Sequence, residues 1–179
     1  MNRFFRILGA VAVISSMPAH GAADMPLGAN VAGGDPFAGA VARTVKAMVD
    51  YTRWPQKKTQ LVLCVAGRAL HASQLGGWRT STGIEVQRRN IYAFGNAVSG
   101  CDILYIGSVP IAAQRDLTSA VRGKGVLTIA EDDPANSSEA MFALDYSPQS
   151  LSFRLNIDAV SRSGLRVDPR VLRIAKARY

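Results

Sequence analysis

Three short runs, residues 61–66, 103–106 and 126–130, are apolar on both faces, and this constrains the fold more than any other feature of the chain. A strand that meets water on one side alternates apolar and polar side chains. Strands without that alternation belong to parallel sheets covered by helices on both faces. Parallel neighbours need crossover connections, for which residues 69–75 and 111–121 have helical character, and residues 84–86 add a weaker strand. Further on, Phe142, Leu144 and Tyr146 alternate before Ser147-Pro148-Gln149-Ser150, and Leu151, Phe153, Leu155 and Ile157 then alternate with Ser152, Arg154 and Asn156. That is the pattern of a hairpin with one dry face. The expected fold is a single-domain α/β structure: a mainly parallel sheet between helices, with a C-terminal antiparallel hairpin and a C-terminal helix.

The helices have their own punctuation. Asp35-Pro36 opens a helix expected over residues 36–52, whose Phe37, Val41, Val45, Met48 and Val49 recur at helical spacing. Trp54-Pro55 ends it, because the residue before proline is pushed out of the helical region. Near the C-terminus Gly164 stops a short helical turn, and Asp168-Pro169 starts another helix, since aspartate caps free N–H groups and proline fits the first helical position. Val171, Leu172 and Ala175 are either the buried stripe of that helix or an exposed contact surface.

Arg3 and Arg6 precede an apolar stretch at residues 7–14, and small residues follow at Ala19, Gly21, Ala22 and Ala23. This reads as an export signal over residues 1–23, cleaved near residues 21–23, and too short an apolar run to span a bilayer. Residues 24–34 read as a flexible leader and residues 35–179 as the folded domain. Removal of Arg3 and Arg6 lowers the formal net charge from +8 to +6. In an exported chain such a balance favours an anionic surface, partner or small molecule over nucleic acid, or simply solubility. Cys64 and Cys101 are expected to form a disulfide in an oxidising compartment, the alternative being two separate buried thiols. A bridge of this span would disfavour the unfolded chain by roughly 4 kcal/mol in the chain-entropy model.

Catalytic chemistry leaves little trace. His71 is the one histidine outside the export signal, it lies in an expected helix, and no Gly-x-Ser-x-Gly elbow accompanies it. Glu131-Asp132-Asp133-Pro134 lacks the alternating ligands of a calcium loop and reads as a turn. Gly123-Lys124-Gly125 precedes a strand, whereas a phosphate cradle lies between strand and helix. Gly67 and Gly107 are better placed, although glycine after a strand ordinarily serves the turn. No catalytic residue, metal ligand or cofactor motif is therefore assigned. The segment Tyr51, Arg53, Trp54 offers rings beside a guanidinium, a combination that can hold a small anionic or aromatic ligand. Equally, Trp54 can cap the core while Arg53 points to water. The same two readings apply to Arg162 and Arg166, which flank Gly164.

Two separated segments, Met48-Val49-Asp50-Tyr51-Thr52-Arg53-Trp54-Pro55 and residues 153–167 with Arg162, Gly164, Leu165 and Arg166, resemble the opening and closing signatures of the YfiR family. Leu63-Cys64-Val65 and the segment from Gly100 to Gly107 resemble its two cysteine-bearing strands. The resemblance runs through nearly all of the chain after the leader. It implies an α/β periplasmic regulator rather than an enzyme, with no cofactor. Such a protein binds the periplasmic sensor domain of an inner-membrane diguanylate cyclase and holds it inactive, lowering cyclic di-GMP and biofilm formation. It also implies a homodimer and a link to periplasmic redox state through cysteines. Relatives often carry a second cysteine pair in the C-terminal half; residues 136–145 contain none here, so any redox response rests on Cys64 and Cys101. By the same resemblance Arg53, Arg162 and Arg166 are expected to converge on a small anionic or aromatic ligand. Tyr51, Trp54, Leu165, Val171 and Leu172 are expected either at the partner interface or in the core.

Overall fold

The structure, a computed structural model, describes residues 34–92, 96–148 and 150–176. The expected export signal and leader lie outside the described residues, apart from Gly34. The described residues from Asp35 onward form one compact unit.

The three doubly apolar runs become the centre of a seven-stranded sheet. In chain order its strands are β2 (Gln60–Ala66), β3 (Trp78–Arg79), β4 (Glu85–Ile91), β5 (Ile103–Ile106), β6 (Leu127–Ala130), β7 (Phe142–Ser147) and β8 (Ser150–Leu155). A separate pair, β1 (Thr52–Arg53) and β9 (Arg166–Val167), forms a small antiparallel ribbon. The large sheet has the order β3-β4-β2-β5-β6-β7-β8. Every pairing from β4 to β7 is parallel, and β3 and β8 close the two edges antiparallel. The C-terminal hairpin is thus as expected, while the antiparallel β3 edge was not read from the sequence.

Pleating explains why both faces of the central strands are apolar. Leu61, Leu63, Val65, Ile103, Tyr105, Leu127 and Ile129 face one core, whereas Cys64, Ala66, Leu104 and Ile106 face another. Helix α1 (Ala38–Asp50) covers the first with Val41, Val45, Met48 and Val49, and α2 (Ile111–Val121) covers the second with Leu117 and Val121. Burying a side chain of this size contributes about 1.5–3 kcal/mol before entropy is subtracted, so two full layers supply the main driving force.

Four local expectations are revised. Residues 69–75 form turns rather than a crossover helix, so His71 is a loop residue. The Glu131 carboxylate accepts the Leu70 and His71 backbone N–H groups, each at 2.7 Å, in place of helical carbonyls. Strand β4 is longer than residues 84–86, because it pairs with β2 along its whole length while Gln87, Arg89 and Asn90 meet water. The first helix is shorter than residues 36–52, because Thr52 leaves it to pair with Val167. Finally, Ile157 opens helix α3 (Ile157–Ser161) and is exposed, because the Asn156 side chain caps the Ala159 N–H at 2.9 Å and ends the strand at Leu155.

Gly67 and Gly107 are packing residues. A Cβ on Gly107 would lie 2.5 Å from the Arg68 carbonyl oxygen, and one on Gly67, at φ +71°, would lie 2.3 Å from Val109 Cγ1. The loops after β2 and β5 therefore close directly on each other and fill the crevice where a phosphate would need room. Gly164 stands at φ +80°, the left-handed geometry that ends the α3 turn.

Candidate functional site

The strongest candidate is the β1/β9 ribbon, which joins the two ends of the domain. Tyr51 follows α1, and its carbonyl accepts the Asp168 N–H at 2.9 Å. Thr52 and Val167 are partners in the ribbon, as are Arg53 and Arg166. Thr52 is buried and its hydroxyl donates to the Met48 carbonyl at 2.8 Å, which ties the ribbon to the last turn of α1. On the other strand Leu165 and Val171 are buried, the latter completely. The ribbon is thus a rigid platform presenting exposed arginines.

Each side chain on the platform has a definite environment. Arg53 Nη1 donates to the Asp50 and Thr52 carbonyls at 2.6 and 3.1 Å. Arg170 grips Asp168 through Nε, at 3.1 and 2.9 Å from the two carboxylate oxygens, and through Nη2 at 2.6 Å. Hydrogen bonds from Arg170 hold the Asp168 carboxyl down at about 2, with a smaller pull from the Arg53 charge. The Arg170 guanidinium also sits 5.9 Å from the centre of the Tyr51 ring, within cation–π range.

A cleft of about 300 Å³ opens beside β1. Arg53, Lys57 and Lys58 line it together with Asp50, and Lys58 pairs with Asp102 at 2.9 Å; Leu61 and Ile84 form apolar lining, and Thr80 and Thr82 add hydroxyls. Trp54 lines it too, and its indole N–H is buried without an acceptor. A buried unpaired donor costs free energy, about 1–3 kcal/mol. Arg53 therefore shares this cleft with Trp54 and faces Arg166 across the ribbon. Arg162 is placed differently. It pairs with Asp158 one turn earlier on α3 and lines a second, much smaller cleft of about 20 Å³ with Arg122 and Glu139.

Among the residues expected in the interface or core, Leu165 and Val171 belong to the core, Tyr51 and Trp54 are half-buried against it, and Leu172 is 47% exposed. Cys64 and Cys101 are joined in a disulfide with Cα atoms 5.7 Å apart. No group of three or more metal-ligating side chains occurs among the described residues, and no helix there is long and apolar enough to cross a membrane.

One polar cluster escaped the sequence reading. Glu131 is almost fully buried at the end of β6 and accepts the Tyr105 hydroxyl at 2.8 Å in addition to the two loop N–H groups. Burial, reinforced by Tyr146 and Glu131, pushes the Tyr105 phenol far above its ordinary value; burial and Glu131 likewise raise Tyr146. His71 Nδ1 lies 2.8 Å from Asp35 Oδ1, and its ring packs against Phe37 and Tyr146. The sequence signal was an acid directly after a doubly buried strand, which has to lie at the edge of the core. His71 is held as a packed, hydrogen-bonded ring in this cluster.

The ribbon, the paired cysteines and the C-terminal block fall within one comparison. A family model described as YfiR/HmsC-like matches residues 38–176, and the chain belongs to that family.

Proposed function

We propose that this chain is a periplasmic regulator that binds the periplasmic sensor domain of an inner-membrane diguanylate cyclase and holds the enzyme inactive, so that cyclic di-GMP and biofilm formation fall. The observation that carries the proposal is the family match over residues 38–176, which spans both halves of the β1/β9 ribbon. The proposal includes export by the N-terminal signal, a homodimer, and binding in place of catalysis. Leu172 and Ile157 are exposed apolar side chains on the C-terminal block and supply contact area for either association. Deleting the gene should raise cyclic di-GMP in a strain that carries the cognate cyclase. Unchanged cyclic di-GMP, together with failure of the purified chain to bind the sensor domain, overturns the proposal.

A second reading follows from the Trp54 cleft: a binding module for a small anionic or aromatic ligand without a cyclase partner. Two arginines opposed on a ribbon, with Arg53 and Lys57 beside Trp54 on the cleft, favour it. Arg162 would join that site only through a rearrangement that frees it from Asp158. Binding of the sensor domain decides between the readings, since a module of this kind would not retain it.

A further inference from the structure

Strand β4 is held on one side only for most of its length. It pairs with β2 through all of Glu85–Ile91, whereas on its other side β3 covers Glu85 and Val86 alone. Among the described residues no strand lies against the outer side of residues 87–91. The opposite edge of the sheet is closed differently, because the helical turns over Pro169–Lys176 lie against β8.

Alternation fixes which backbone groups are left over on β4. The Thr80 N–H donates to the Ile84 carbonyl at 2.8 Å, so Ile84 turns its backbone groups outward, and by the period of two Val86, Arg88 and Asn90 do the same. Gln87, Arg89 and Ile91 direct theirs to β2. With Val86 taken by Trp78, the open stretch presents the N–H and C=O groups of Arg88 and Asn90. It spans roughly 17 Å at about 3.3 Å per residue, which matches a short guest strand.

The open stretch is also charged. Pleating sends Arg88 to one face of the sheet and Arg89 to the other. Arg88 Nη1 donates to the Ala72 carbonyl at 2.6 Å and its Nε to Asn90 Oδ1 at 3.0 Å. The contacts of Arg89 run through Nη2, to the Ser99 carbonyl at 2.7 Å and to the two cysteine sulfurs. A guanidinium has donors on all three nitrogens, so Arg88 Nη2 and Arg89 Nε and Nη1 keep capacity for a carboxylate. Neither arginine forms a salt bridge among the described residues. The acid on this strand, Glu85, is engaged by Arg79 at 3.8 Å and by Gln87 Nε2 at 3.1 Å.

An unpaired strand edge is a template for another strand. A second copy fits this one poorly, because its own Arg88 and Arg89 would bring four guanidiniums to one seam. A segment with two consecutive carboxylates fits, since neighbouring strand residues point to opposite faces and can meet Arg88 and Arg89 separately. We propose that the outer edge of β4 over residues 87–91 is a strand-acceptor site, which takes an extended acidic segment of a partner protein as an added strand. The site stands on backbone geometry within the chain and does not depend on the cyclase reading.

The test follows amide exchange by NMR in the full chain, with the capped peptide Val-Thr-Glu-Glu-Thr-Val-Thr as probe. In the peptide-free chain the Arg88 and Asn90 amides should exchange faster than those of Gln87 and Arg89. Saturating peptide should slow Arg88 and Asn90 roughly tenfold or more and leave Gln87 and Arg89 unchanged. A Lys-Lys counterpart, and a fully N-methylated Glu-Glu peptide that keeps the carboxylates without backbone donors, should each bind roughly tenfold more weakly. Asn90→Pro removes an outward N–H without touching the β2 ladder and should weaken binding to a similar extent, whereas Asn90→Ala should bind like the parent. Equal binding by the Lys-Lys or the N-methylated peptide, or no binding of the Glu-Glu peptide at millimolar concentration, overturns the proposal. Protection of Arg88 and Asn90 before peptide is added also overturns it, and loss of that protection on dilution would assign the edge to a second copy.

Discussion

Arg53 and Arg166 are direct partners across the two-stranded ribbon that joins the end of α1 to the C-terminal block. Like charges placed opposite each other in an antiparallel pair are destabilising, by a few tenths to about 1 kcal/mol. Arg166→Gln should therefore raise thermal stability slightly in an anion-free buffer. The same change should abolish the extra stabilisation that added phosphate or an aromatic carboxylate gives the parent protein. Thermal melts with and without these anions measure both effects, and equal anion responses in parent and variant would remove the ribbon from consideration as an anion site.

Asp168 gives the ribbon an acid-sensitive clasp. Its carboxyl titrates at about 2 in the folded protein, first because of the Arg170 hydrogen bonds, against roughly 3.9 in an unfolded chain. A depressed folded value means the contribution to stability is complete above about pH 4 and is lost as pH falls toward about 2. Carbon-detected NMR titration should place the Asp168 midpoint near 2, and Arg170→Ala should move it back toward the ordinary carboxylate range. An unmoved midpoint would show that Arg170 is not the cause.

The cross-link between Cys64 and Cys101 closes a loop of separation 37 in the chain. Replacing both cysteines by serine should lower stability by roughly 2 to 4 kcal/mol, read from urea midpoints at unchanged slope. Mass measurement under non-reducing conditions should find no free thiol in the parent protein.

Legibility in the sequence followed the range of the interactions involved. Strands β2, β5 and β6 declared themselves because every side chain in a doubly covered strand must suit one of two cores, and Phe142 to Leu155 did so through alternation alone. Local caps were equally readable: Asp168 and Gly164 act within two or three residues of themselves. Residues 69–75 were misread because their backbone N–H groups are satisfied by Glu131, about 60 positions away, which no local pattern encodes. Strand β4 was read short because its outer residues are polar and its pairing comes from β2. In the candidate site, Arg53 and Arg166 were singled out by residue type and resemblance, yet their opposition depends on a pairing between chain segments more than a hundred residues apart. Arg162 looked equivalent to Arg166 in sequence, and differs because the α3 turn directs it toward Asp158.

Glu131 and Tyr105 make the most specific stability prediction. The buried carboxylate receives three donors, the Leu70 and His71 N–H groups and the Tyr105 hydroxyl. Glu131→Gln keeps the volume but turns an N–H₂ toward one set of those donors, leaving buried groups unpaired at a cost of about 1–3 kcal/mol. Amide exchange should accelerate selectively at one of Leu70 and His71, whichever N–H faces the new amide nitrogen, because the two bond to different carboxylate oxygens and the remaining carbonyl still serves the other. Alkali probes the same cluster from the other side. A phenol whose folded value is raised keeps its proton while the unfolded chain gives it up, so stability should fall as pH rises above about 10. Of the five tyrosines, Tyr105 and Tyr146 should ionise only together with unfolding, seen as two phenolate absorbance steps that coincide with loss of circular dichroism. Ionisation of all five tyrosines before unfolding would show that Glu131 and its surroundings are open to water, and would contradict the buried cluster.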